Sequence, residues 1–291
     1  MSTDKTQGGF PGEVRKGRRK PERKTTVRHC PETAGGRASG NAWVKPGGGG
    51  AVSMKKRCLI ILLKWPEPGA VKTRLAKAIG EEEACLLYRC FVLDLLQTLG
   101  PSAETGSFDL KIYYDPPGAG RRISGWLGEK YELLPQRGND LGERMKNAFA
   151  ESFANGFDCA LLVGSDVPDL PGEAVLDGFS FLEQKDAVIG PTEDGGYCLI
   201  GFRSRGFLPE AFSGIAWSGA GVAEATLAAL GSAGRSVALL PLQRDIDTIE
   251  DLLALRERHR KGPFRDSRTI RRLTETRPSD PSQIVHRSRF R

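Results

Sequence analysis

Residues 62–80 read LLKWPEPGAVKTRLAKAIG. The stretch opens on the end of an apolar run, CLIILLK, whose unbroken hydrophobicity predicts a strand buried on both faces. It turns at Pro66-Glu67-Pro68-Gly69 and closes on the start of a helix. Two cations and a hydroxyl, Lys72, Thr73 and Arg74, stand where the strand gives out. This is no Walker A loop, because no glycine precedes Lys72-Thr73. It can still hold an anion: Gly69 permits close backbone approach, a helix start turns N–H groups outward, and Lys72 and Arg74 neutralise phosphate oxygens. The alternative is a solvated basic turn.

The same punctuation repeats outward from this stretch. A helix is expected over 81–99, with three acids in its first turn and Gly100-Pro101 as its stop. The strand FDLKIYY follows, then the helix DLGERMKNAFAESFA, which Asp140 and Glu143 start in the manner of a capping box. Further on come the strand CALLVGSD, a helix over 172–183, DAVIG, GYCLIGF, a helix within 220–231, SVALLP and a last helix from about 248 to 260. Strand and helix alternating in this way predict an α/β fold, a three-layer α/β/α arrangement around a mostly parallel sheet. Ligands of such sheets bind outside the carboxyl ends of the strands.

The 291 residues are 39% hydrophobic, low for a chain folded throughout. Residues 1–53 carry a net charge of +7 and residues 262–291 a net of +5, which leaves −5 of the whole-chain +7 for residues 54–261. A basic character confined to the ends argues poorly for nucleic-acid binding. Residues 1–53 and 262–291 are expected to be disordered basic tails around one folded domain at 54–261. The first tail lacks the apolar stretch of a secretory signal, and its Asp4, Glu13 and Glu22 suit a mitochondrial presequence badly. Met54, next to the first strand, is an alternative start of translation. The longest apolar run, about six residues, is far short of a membrane span. Six scattered cysteines with no C-x-x-C, and only three histidines, point to reduced thiols in a cytoplasmic protein and away from structural zinc.

Four more strand ends carry unusual chemistry. In GSDVPDLP, Asp166 leaves a dry strand as a hard oxygen donor suited to Mg²⁺ or Mn²⁺ with substrate phosphates completing the shell, while Asp169 suits a turn or helix start. In GPTEDGGYCLIGF, Asp194-Gly195 is a hairpin signal. Gly195 and Gly196 also allow main chain to approach a ligand, and Glu193 and Asp194 could orient a hydroxyl or act as base. In LPLQRDIDTIEDLLAL, Asp247 or Thr248 can cap the last helix, leaving Asp245 as a second metal or substrate contact. In LLPQRGNDLGERM, Gln136, Gly138 and Arg144 are candidates for phosphate contact.

Taken in order, KWPEPGAVKTRL, QRGNDLGERMKNAF, LLVGSDVPDLP, GPTEDGGYCLIG, IAWSG and RDIDTIEDL resemble the radical-SAM/selenodomain-associated transferase family, also called arsenosugar-biosynthesis glycosyltransferase-like, over about residues 57–255. The resemblance implies a GT-A-like nucleotide-diphospho-sugar transferase fold and a requirement for Mg²⁺ or Mn²⁺. More distantly the chain resembles the guanylyltransferases of phospholactate and molybdenum cofactor. Carried over by motif, Lys72 and Arg74 match first-loop phosphate contacts, Asp166 the metal aspartate, and Asp194 with its glycines the acceptor-side loop.

The function expected is therefore metal-dependent transfer from a nucleotide-activated donor, in the first instance glycosyl transfer from a nucleoside diphosphate sugar to a small-molecule acceptor. The ion would sit on Asp166, with Asp245 or Asp247, and no nucleic acid or membrane partner is expected. A nucleotidyltransferase releasing pyrophosphate from an NTP is the first alternative, and a non-catalytic nucleotide-binding protein the second.

Overall fold

Strand β1, Arg57–Lys64, is buried at six successive positions, because both its faces lie under helices. In this computed structural model, which describes residues 55–217 and 219–275, it is followed by α1 (Thr73–Ile79), α2 (Glu81–Glu104), β2 (Asp109–Asp115), α3 (Gly120–Leu127), β3 (Glu132–Pro135), α4 (Leu141–Ala154), β4 (Cys159–Val163) and α5 (Gly172–Phe181). Then come β5 (Ala187–Pro191), β6 (Tyr197–Arg203), α6 (Val222–Ser232), β7 (Val237–Leu239), α7 (Ile249–Arg258) and α8 (Arg268–Glu275).

The seven strands form one sheet in the order β3-β2-β1-β4-β6-β5-β7. β6 runs antiparallel to both neighbours and every other pairing is parallel. This is the three-layer, mostly parallel α/β sheet that the strand–helix alternation predicts. Period-2 alternation divides β1 between two cores. Leu59, Ile61 and Leu63 meet α1, α2, α3, α5 and α7 on one face, while Cys58, Ile60 and Leu62 meet α4 and α6 on the other. The second core centres on Phe149, whose ring packs against Phe202, Phe207 and Phe212.

Two boundaries differ from the sequence reading. Helix α2 runs through Gly100-Pro101 to Glu104; a proline that close to the C-terminus forfeits one hydrogen bond while packing holds the rest. The expected tail from 262 is helical at Pro263–Asp266 and Arg268–Glu275. Asp94, buried on α2, accepts from the Arg268 and Thr269 amides at 2.9 and 2.8 Å, and Glu83 grips the Arg272 guanidinium at 2.6 Å. Residues 1–53, and Cys30 with them, lie outside the described residues, as do 276–291. The other five cysteines are free thiols, and among the described residues no helix is long and apolar enough to cross a membrane.

Candidate functional site

The parallel strands deliver their carboxyl ends to one rim, where a cleft of about 870 Å³ opens. Lys72 enters it by an unusual route. It is the N-cap of α1 with φ 48° and ψ 44°, and among the described residues no other non-glycine residue has positive φ. That conformation costs roughly 1–2 kcal/mol. Its effect is to carry the side chain inward: Lys72 is 4% exposed, with Nζ 2.5 Å from Asp166 Oδ1 and 3.0 Å from Asp247 Oδ1. Burial alone would pull its pKa down, but Asp166 and Asp247 outweigh burial and hold it above the usual lysine value. Arg74, 64% exposed, approaches Asp247 at 3.6 Å and keeps most of its donors open to a ligand.

Main-chain bonds explain why residues so distant in sequence share this rim. The Asp166 carbonyl accepts from the Ile246 amide at 3.0 Å, tying the exit of β4 to the approach to α7. Gln243 bonds both Pro191 and Glu193 in the same way. Tyr88 joins the β1 and β4 ends, accepting from the Lys64 amide and sharing a 2.8 Å hydrogen bond with Ser165. Thr248 caps α7 in a full capping box with Asp251, which leaves Asp247 free to face Lys72.

The turn between β5 and β6 presents Asp194. Its Oδ1 accepts from Thr192 Oγ1 at 2.6 Å and from the Gly196 amide at 2.9 Å, so the carboxylate is fixed beside the cleft. Gly195 has φ 88°, and a Cβ there would lie 1.8 Å from the Ala220 carbonyl oxygen. Its lack of a side chain serves the packing of Ala220 onto the turn. Asp245 lines the cleft half-buried. Burial, then Asp194 and Asp247, push it from 3.8 up to about 6.

That shift fixes a sign. Above pH 6 the folded chain carries a carboxylate that its surroundings disfavour; below 3.8 both folded and unfolded chains are protonated and the cost is gone. Allowing for partial exposure, Asp245→Asn should stabilise the metal-free protein by about 1 kcal/mol, roughly 2–4 °C in melting temperature at pH 7.5. The gain should vanish by about pH 4. A variant that melts lower than the parent at pH 7.5 would contradict this electrostatic picture.

Other candidates are placed elsewhere. The Gln136 side chain donates to the Leu63 and Tyr113 carbonyls at 3.0 and 2.9 Å, so its amide closes strand ends and is not open to phosphate. Arg144 is held by the Gly138 carbonyl at 3.2 Å and by Asp115, also at 3.2 Å, although it still lines the cleft. Glu193 pairs with Arg244 at 3.1 Å and, like Gly69, does not line the cleft. Thr73 and Gly196 do line it. Asp169 anchors α7 through Arg258 and His259 at 2.9 and 2.7 Å. Sequence reading missed Tyr88, Ser165, Thr192 and Trp217; the aromatic in IAWSG was the available signal for the last.

Asp166, Asp245 and Asp247 do not close into a three-carboxylate metal cage: among the described residues no group of three or more His, Cys, Asp or Glu side chains could hold a metal. The Lys72 ammonium bridges Oδ1 of Asp166 and Oδ1 of Asp247, so an ion could reach this pair only through their Oδ2 oxygens. What remains suits an ion of the Mg²⁺ or Mn²⁺ kind, which takes one or two carboxylates and completes its shell with phosphate and water.

The family model described as "Uncharacterized protein conserved in bacteria (DUF2064)" matches residues 98–219. A protein from Desulfovibrio desulfuricans G20, described as a candidate nucleotide-diphospho-sugar transferase, is 39% identical; the match covers 80% of this chain and 98% of that one, with a TM-score of 0.72. A 4-diphosphocytidyl-2C-methyl-D-erythritol synthase from Anaerococcus prevotii DSM 20548 aligns over 71% of this chain and 99% of its own at 11% identity and TM-score 0.47. No curated protein matches.

Proposed function

We propose that this chain, which belongs to the same family as the Desulfovibrio desulfuricans protein, transfers a glycosyl group from a nucleoside diphosphate sugar to a small acceptor with the help of Mg²⁺ or Mn²⁺. The observation that carries the reading is Lys72 held between Asp166 and Asp247, with the open guanidinium of Arg74 beside them. Cations and carboxylates crowd together on one cleft rim, an arrangement that folding alone penalises and that a diphosphate with a divalent ion would satisfy.

Asp166 and Asp247 would hold the ion, which when bound supplies positive charge against the leaving diphosphate. Arg74 adds a charge-assisted hydrogen bond to a phosphate oxygen, and Lys72 keeps both aspartates ionised and oriented. Asp194, fixed by Thr192 and Gly196, accepts the proton of the attacking acceptor hydroxyl or orients it. The finer kinship with arsenosugar-type transferases belongs to the same proposal, as does a reducing, cytoplasmic setting, which the five free thiols favour.

The test is a product assay with Mg²⁺ or Mn²⁺ in which nucleoside diphosphate release from sugar nucleotides is followed beside pyrophosphate release from NTPs. Diphosphate release that stops on chelation is the expected result. Pyrophosphate release alone would replace glycosyl by nucleotidyl transfer, and binding without either product would leave a nucleotide-binding protein.

A further inference from the structure

The cleft has two unlike walls. Lys72, Arg74, Asp166 and Asp247 make one, and across the β4 and β6 ends Leu141, Met145, Trp217 and Val222 contribute apolar surface to the other. A solvent-facing cleft that needed only to grip a diphosphate would have no use for an indole and an exposed leucine. Leu141 is 44% exposed.

The seat of Trp217 is built. Its indole edge rests on α4 at Gly142, where a Cβ would come within 2.6 Å of Cζ2 and 2.7 Å of Nε1; any larger residue would push the ring away. Phe212 stacks against it at 6.4 Å between centroids and continues the aromatic core. Nearby, Ala220 is pressed onto Gly195, in the turn that presents Asp194. The glycine at 142 thus gives the tryptophan its seat. Trp217 is partly exposed, and it lines the cleft.

We propose that Trp217 is a specificity-determining platform for the transferred sugar ring, with its π surface against the apolar C–H face of the ring. The inference rests on the proposed reading of the cleft as a sugar-nucleotide site. A hexose has the matching chemistry: one face rich in C–H groups, and hydroxyls around its edge within the chemistry of Asp194. Trp217 touches the sugar and not the diphosphate, so its contribution belongs to donors that carry a sugar.

The experiment is isothermal titration of the full chain and of Trp217→Ala and Trp217→Phe with UDP, GDP, UDP-glucose and GDP-mannose in Mg²⁺, with melting curves recorded for each variant. The expected result is that Trp217→Ala weakens the sugar nucleotide about tenfold or more, leaves the matching nucleoside diphosphate within about twofold, and that Trp217→Phe recovers most of the loss. Equal losses for sugar nucleotide and bare diphosphate, or no loss for either in a folded variant, would overturn the platform and leave the diphosphate site standing. Absence of binding by all four nucleotides to the parent chain would overturn both.

Discussion

Asp166→Asn is expected to lower turnover about a thousandfold while shifting the melting temperature by only a few degrees. The size of the first effect follows from what the substitution removes: the carboxylate proposed to carry the divalent ion against the leaving diphosphate. Loss of one electrostatic contact made at a developing charge typically costs two to three orders of magnitude. The small second effect follows from geometry. Asp166 is 51% exposed, and Lys72 keeps Asp247 at 3.0 Å when Asp166 is neutralised, so the buried ammonium stays paired at a cost of about 1 kcal/mol. Diphosphate release and a melting curve on the same preparation check both halves. Near-parent activity at saturating metal would remove Asp166 from the chemistry.

Replacing both aspartates should do far more to stability than the two single effects added together. Asp166→Asn with Asp247→Asn leaves the Lys72 side chain, 4% exposed, without either of its carboxylate partners, and with Phe91 at 5.7 Å and the more distant Asp245 as weaker company. Removing the partners of a buried charge costs about 3–5 kcal/mol, or on the order of 10 °C for a domain of this size. Adding Lys72→Met to the double variant should restore most of the loss, since replacing every member of a buried ionic group is often near neutral. The pH dependence has a definite sign. The folded-state pKa of Lys72 lies above its ordinary 10.5, so its share of stability is complete below 10.5 and disappears as pH climbs through the raised value. Guanidinium melts at pH 7 of the parent, double and triple variants would show this; a double variant as stable as either single one would mean that Lys72 is not buried as described.

Much of the fold was legible because its signals are local. The run from Cys58 to Leu63 has no polar position to face solvent, which two covered faces explain, and the Asp140 and Thr248 caps, each with an acid three residues on, marked the starts of their helices. The C-terminal helix was hidden for the opposite reason. An arginine-rich segment reads as solvated tail until Asp94, on α2 and 174 residues from Arg268, is found buried and waiting to cap it. Gly100-Pro101 gave a stop signal that the tertiary packing of α2 overrode.

The candidate site divides along the same line. Residue types and their arrival at strand ends were enough to bring Lys72, Arg74, Asp166, Asp194, Asp245 and Asp247 to one rim. Orientation was not. Lys72 points inward only because its backbone adopts the left-handed region, a choice that non-glycine residues rarely make. Gln136 turns to two strand-end carbonyls and Glu193 to Arg244, contacts that depend on which distant groups lack partners.

The most direct test of the central claim, that Asp166, Asp247 and the first-loop cations jointly hold a diphosphate and its ion, is anomalous diffraction at the manganese edge from crystals grown with Mn²⁺ and a nucleoside diphosphate. One strong peak on the Asp166 and Asp247 carboxylates, with the diphosphate beside Arg74, is the expected result. Nucleotide bound on another face, or bound in the cleft with no manganese at these aspartates, would contradict it.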